Sequence, residues 1–195
     1  RPMANAIANQ ALGKGTESPN NYKNCKRLFM NIENIHHVRE SKQKLLNTLA
    51  IEKVTNFDNI LWLQHLSRIM QATSLIVKAM HQKDQNVFVH CSDGWDRTAQ
   101  LTSLTQICLD PYYRSKRGFI SLIEKEWLCF GHKFADRSGF NTKARQVSPI
   151  FQQFLECAWQ LCMQYPMKFE FNDKFLIILF CQHFGGEDAE FRFNS

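Results

Sequence analysis

The chain has 195 residues, 44% hydrophobic and 22% charged, with 16 phenylalanines and 4 tryptophans, a balance that excludes intrinsic disorder and permits one domain with a sizeable core. A formal net charge of +6 suits an anionic substrate or membrane surface, but is too weak and dispersed to point to nucleic acid. Seven cysteines, an odd number with no CxxC pair and no Cys/His zinc spacing, argue against a disulfide framework or a metal centre and fit a reduced, cytoplasmic setting.

Residues 1–24 are rich in Asn, Gly, Ser and Pro and read as loop, with no apolar core of signal-peptide type. The apolar stretch 27–32 (RLFMNI) fits a short buried strand. Over 40–51, Leu45, Leu46 and Leu49 recur at helical spacing. Asp58 is placed to cap a long helix running to Met80, with Leu61, Leu66, Ile69, Met70, Thr73, Ile76 and Val77 on its inner face. Residues 86–90 (NVFVH) predict a second short strand. A helix follows Arg97 and runs to about Asp110, where Pro111 stops it. Over 118–130, Phe119, Leu122, Ile123, Trp127 and Phe130 share one face of an amphipathic helix that ends at Gly131. Two further buried helices fit 149–163 and 171–181. The longest apolar run, 175–181, is too short to span a bilayer. Few strands among many helices predict an α/β fold, a small central sheet flanked by helices, in a single domain over 1–195.

Chemistry concentrates after the second predicted strand. Cys91 and Arg97 stand in Cys-x5-Arg register, as CSDGWDR. A strand there delivers the cysteine to a loop whose backbone N–H groups turn inward, and a helix N-terminus faces the same centre. That field favours a thiolate. Arg97 closes the ring with a fork suited to two phosphate oxygens. Ser92, Asp93, Gly94 and Trp95 supply the rest of the phosphate-binding loop, with Gly94 free to take backbone angles closed to other residues. Thr98 is placed to hydrogen-bond the sulfur. In this scheme Cys91 attacks phosphorus, forms a phosphocysteine and needs no metal or other cofactor.

Cys108 and Arg114 repeat the spacing as CLDPYYR. That second match has no strand before it and no glycine, contains Pro111, and begins at the end of a helix. The setting, and not the spacing, selects Cys91. His36 with His37, and Cys181 with His183, lack the further partners a metal needs. Arg114, Lys116 and Arg117 form a basic cluster open to lipid headgroups or to solvent alike.

The segment HCSDGWDRTAQLTSL resembles the active-site segment of the myotubularin-related phosphoinositide phosphatases. RPMANAIANQALGKGTES, NIENIHHVRES, YYRSKRGFISLIEKEWLCFGHKF and SPIFQQFLECAWQ are similar to further blocks of that family, in its order, so the resemblance covers nearly the whole chain. It implies a protein-tyrosine-phosphatase-like fold and hydrolysis of the 3-phosphate of phosphatidylinositol 3-phosphate and phosphatidylinositol 3,5-bisphosphate. It also implies a phosphoinositide headgroup in a membrane surface as partner, homo- or hetero-oligomers with related chains, and a cytoplasmic protein peripheral on endosomal membranes. Because the chain starts inside a family block, a partial catalytic domain is expected.

By the same resemblance Asp96 is the favoured general acid, with Asp93 as the other loop carboxylate. Asp96 could instead cap the following helix. Lys133 and Arg137 match positions that contact the inositol phosphates, and Asn9, Asn34 and Ile35 match positions that line the site. Two other readings stay open: a protein tyrosine or dual-specificity phosphatase, and a non-catalytic interaction module.

Overall fold

The computed structural model describes residues 24–50, 60–140 and 144–185. Asn9, residues 1–23 of the loop expected over 1–24, and the Asp58 cap lie outside them. Helix α1 spans Ile35–Ala50 and begins where the Asn34 side chain accepts from the backbone N–H groups of His36 and His37, at 2.9 and 3.3 Å. Helix α2, Leu61–Lys83, buries Trp62, Leu66, Ile69 and Thr73 at spacings of three and four, and stops at Asp84 in a left-handed conformation.

Helix α3, Arg97–Leu109, is the central element. Ala99, Gln100, Leu101, Ser103, Leu104, Thr105 and Ile107 are all buried, so it is covered on several sides. It packs on α2 and on α6, Ile150–Gln164. Inside the core, the Gln100 amide donates to the Ile150 carbonyl and to Gln153 Oε1, at 3.0 and 3.1 Å, which ties α3 to α6. Helix α4, Lys116–Ile123, opens at Ser115, whose hydroxyl accepts from the Gly118 N–H. It runs on as a π-helical turn over Glu124–Cys129. The short α5, Phe134–Ser138, and the C-terminal α7, Asp173–Gly185, complete the set.

The aromatic residues anticipated from composition form the centre of the core. Phe119 stacks on Phe154 at 5.6 Å, and Trp127 meets both Phe151 and Phe154 at 5.0 Å. The Trp127 indole N–H donates to Ser103 Oγ at 2.9 Å, so α3 fixes its orientation. Phe119, Leu122, Ile123 and Trp127 lie inward as the period predicts, but Phe130 is 65% exposed. The π turn adds a residue to that turn and rotates the residues after it, which carries Phe130 out of the stripe.

The sheet is a correction. Among the described residues there is no strand, and the α/β expectation of a small central sheet gives way to helices alone. The two predicted strands, 27–32 and 86–90, carry no regular structure and join no ladder, and Asn31 breaks the first with a left-handed φ of 52°. Val89 packs on the core while Phe88 is 84% exposed, so the alternation of a strand is present without its partner. An extended segment becomes a strand only when neighbouring backbone pairs with it. Here the Ile32 carbonyl accepts instead from Arg97.

Gly118 packs directly on the Tyr112 carbonyl, where an added Cβ would collide with backbone. Gly118→Ala is expected to destabilise the chain by about 1–3 kcal/mol, read as a lowered urea midpoint at unchanged slope.

Candidate active site

Segment 86–90 leads into Cys91, the loop runs through 91–96, and α3 starts at Arg97. Gly94 takes φ of +95°, which turns its own N–H onto the Cys91 sulfur at 3.2 Å. Burial is the largest influence on the Cys91 thiol and pushes it up. The Thr98 hydroxyl, then the backbone N–H groups of Gly94, Thr98 and Asp93, outweigh it and leave the thiol below its ordinary range. The buried Thr98 hydroxyl closes no hydrogen bond of full geometry, yet it lies close enough to the sulfur to favour the thiolate.

Arg97 reaches back across the loop. One Nη donates to Ser92 Oγ at 3.2 Å and the other to the Ile32 carbonyl at 3.4 Å. This places residues 27–34 beside the loop. Ser92 and Asp93 are exposed at the mouth, while Gly94 and Trp95 are half-buried. Asn34 is spent on capping α1, and Ile35 lends its carbonyl to the Ser148 hydroxyl at 2.8 Å.

Asp96 is the most constrained group of the loop. Arg137 on α5 grips it with two bonds, Nε to Oδ1 at 3.1 Å and Nη2 to Oδ2 at 2.8 Å. His132 Nδ1 lies 3.1 Å from Oδ1 and 2.8 Å from the Trp95 carbonyl. Burial is the largest influence on Asp96 and raises its pKa. Hydrogen bonds and charge from His132 and Arg137 overcome this and hold it at about 2. The side chain makes no helix-capping bond. Lys133 holds its Nζ 4.6 Å from the centre of the Trp95 ring. Arg137 itself is buried, and its remaining Nη donates to the Gln146 carbonyl and Oε1, both at 3.1 Å.

The structure thus brings together Cys91, Ser92, Asp93, Gly94, Trp95, Asp96, Arg97, Lys133 and Arg137 around one loop. His132 is a further residue of this cluster that the sequence does not single out. Its position next to Lys133, immediately after Gly131, was the one available signal. The second Cys-x5-Arg match is structural: burial raises the Cys108 thiol, and Arg114 caps α3 by donating to the Ile107 and Cys108 carbonyls at 2.9 and 3.2 Å.

Thr98→Ala removes the strongest hydrogen-bonding influence on the Cys91 sulfur. The midpoint for iodoacetamide alkylation of Cys91 is expected to rise, with slower alkylation at neutral pH. Asp96 supplies a second test. A carboxylate depressed on folding stabilises above its unfolded pKa, near 4, and loses that contribution as pH falls through its folded value of about 2. In acid titrations followed by denaturant melts, Asp96→Asn should flatten the wild type's loss of stability in that window.

Residues 1–195 match the family described as the myotubularin-like phosphatase domain. The phosphatidylinositol-3,5-bisphosphate 3-phosphatase MTMR8 of Gallus gallus is 48% identical over 184 residues, covering 91% of this chain and 29% of its own length. The phosphatidylinositol-3-phosphate phosphatase MTMR7 of Mus musculus is 48% identical, covering 90% of this chain and 28% of its own. The phosphatidylinositol-3,5-bisphosphate 3-phosphatase MTMR6 of Mus musculus is 48% identical, covering 91% and 30%. The chain therefore spans less than a third of the length of these curated relatives.

Proposed function

The chain belongs to the myotubularin-like phosphatase family, and on that premise we propose that it carries the catalytic loop of a phosphoinositide 3-phosphatase. The substrates are phosphatidylinositol 3-phosphate and phosphatidylinositol 3,5-bisphosphate, in keeping with the names of its relatives. The observation that carries the reading is the Cys91 sulfur, lowered in pKa and facing loop N–H groups, with Arg97 in the same ring.

The Cys91 thiolate attacks phosphorus in line, and the bond from phosphorus to the inositol oxygen breaks. Loop N–H groups and the Arg97 fork hold the equatorial oxygens through the transition state. Arg97 exchanges its bond with Ser92 for phosphate oxygens as the substrate enters. Water then attacks the phosphocysteine, releasing phosphate and restoring the thiolate. The formal excess of positive charge supports peripheral contact with the anionic cytoplasmic face of an endosomal membrane.

The departing inositol oxygen needs a proton. Asp96 is the donor we propose, with a condition that its geometry imposes. Held well below the usual carboxylate range by His132 and Arg137, the carboxyl is ionised at neutral pH and has no proton to give. Arg137 must first leave Asp96 for a phosphate of the lipid. Losing the Arg137 fork removes one of the two influences that hold the carboxyl down, so burial lifts its pKa, while the His132 N–H stays on Oδ1.

The decisive measurement is phosphate release across all phosphoinositide isomers, with a phosphotyrosine peptide alongside and Cys91→Ser as control. Release is expected from the two 3-phosphorylated lipids and is abolished by Cys91→Ser. Preference for the peptide would overturn the lipid assignment. Asp96→Asn should lower kcat by about 10^2 or more and Asp93→Asn far less; near-normal turnover by Asp96→Asn would remove Asp96 from the reaction.

A further inference from the structure

We infer that His132 is a positioning residue for the reaction: its Nδ1–H fixes the Trp95–Asp96 corner of the phosphate loop and keeps the Asp96 carboxyl aimed while Arg137 exchanges partners. The inference rests on the phosphatase reading above and goes beyond it by assigning a role to a residue that touches neither phosphate nor lipid.

His132 is completely buried. Both groups in reach of Nδ1, the Trp95 carbonyl at 2.8 Å and Asp96 Oδ1 at 3.1 Å, are acceptors, so this nitrogen is the one that carries hydrogen. One N–H therefore spans the loop backbone and its buried carboxylate. Nε2 is buried with no hydrogen-bond partner. The ring is instead held edge to face by Trp127 and Phe134, at 4.8 and 4.7 Å. An imidazole retained in an apolar box with one nitrogen unsatisfied needs a compensating reason. Its grip on Asp96 is that reason.

The neighbouring backbone is shaped to the same end. The His132 N–H donates to the Trp127 carbonyl at 2.8 Å and the Gly131 N–H to the Leu128 carbonyl at 3.0 Å, with Gly131 at φ +78°, a glycine cap that ends the helix just after its π turn. Such a cap re-aims the chain beyond it. Trp127 is in turn bonded to Ser103 on α3, the helix that the loop begins. A continuous path thus runs from α3 through Trp127 to His132 and back to the first turn of α3 at Asp96. Arg137 approaches the same carboxylate from α5, by a separate route. When Arg137 turns to a lipid phosphate, His132 is the contact that stays.

Two near-isosteric variants test this. The amide nitrogen of Asn can occupy the place of Nδ1, and that of Gln the place of Nε2. His132→Asn keeps the donor to Trp95 and Asp96, whereas His132→Gln, closer to histidine in size, loses it. With phosphatidylinositol 3-phosphate as probe, His132→Asn is expected to retain kcat within a few-fold, and His132→Gln to lose about tenfold or more at little changed KM. In an Asp96→Asn background the difference between the two should collapse. A buried residue that serves packing alone gives the opposite order, Gln at least as active as Asn, and that result overturns the inference. So does a difference that survives Asp96→Asn intact. A wild-type chain that releases no phosphate from any phosphoinositide overturns the phosphatase reading, and this one with it; an active wild type matched by His132→Gln overturns this one alone.

Discussion

A single buried carboxylate organises the site. Asp96 is the last residue before α3, and its two oxygens receive a fork from Arg137 and a third bond from His132. Both partners come from the far side of the π turn. Without the carboxylate, a nearly fully buried guanidinium would lose its charge partner, at a cost of about 3–5 kcal/mol. The same ion pair closes the 132–137 segment against the loop, which brings Lys133 over Trp95. Cysteine loop and basic segment are thereby one body.

The pairing also sets the chemical character of the loop's two ends. At Cys91, amide N–H groups and the Thr98 hydroxyl overcome burial and leave a thiol that ionises readily. At Asp96, an arginine and a histidine overcome burial and leave an anion. Both groups are desolvated, so in both the balance is decided by hydrogen-bond donors placed by the fold. Cys108, Cys157 and Cys162 have burial without that set of donors, and their thiols are raised. The contrast separates the Cys91 thiol, lowered, from the raised thiols of the core on physical grounds.

Aromatic packing provides the rigidity this arrangement needs. Trp127 stands between the core and the site, touching Phe151 and Phe154 on one side and His132 on the other. The π turn that contains it holds the tryptophan inward while turning the next residues towards Asp96. The glycine cap at Gly131 then directs the His132 N–H back to the Trp127 carbonyl.

The sequence by itself determined the helices, because their apolar spacing of three and four is a local property: α2, α3 and α6 lie within a few residues of the predicted spans. Gly94 and the helix starting at Arg97 are readable nearby and set CSDGWDR apart from the second Cys-x5-Arg match, and the resemblance in CSDGWDR named the family. Strands were not determined. The alternation in NVFVH encodes an extended backbone but not the partner that makes a sheet. The partners of Asp96 were hidden for a related reason. A capping bond to the next helix is a local expectation, which Asp96 does not fulfil; its bonds to Arg137 and His132 depend on how a distant turn at Gly131 re-aims the chain. Only the tertiary structure decided that Asp96 is held as an anion, because a carboxyl's pKa is set by the donors and the burial that folding brings to it.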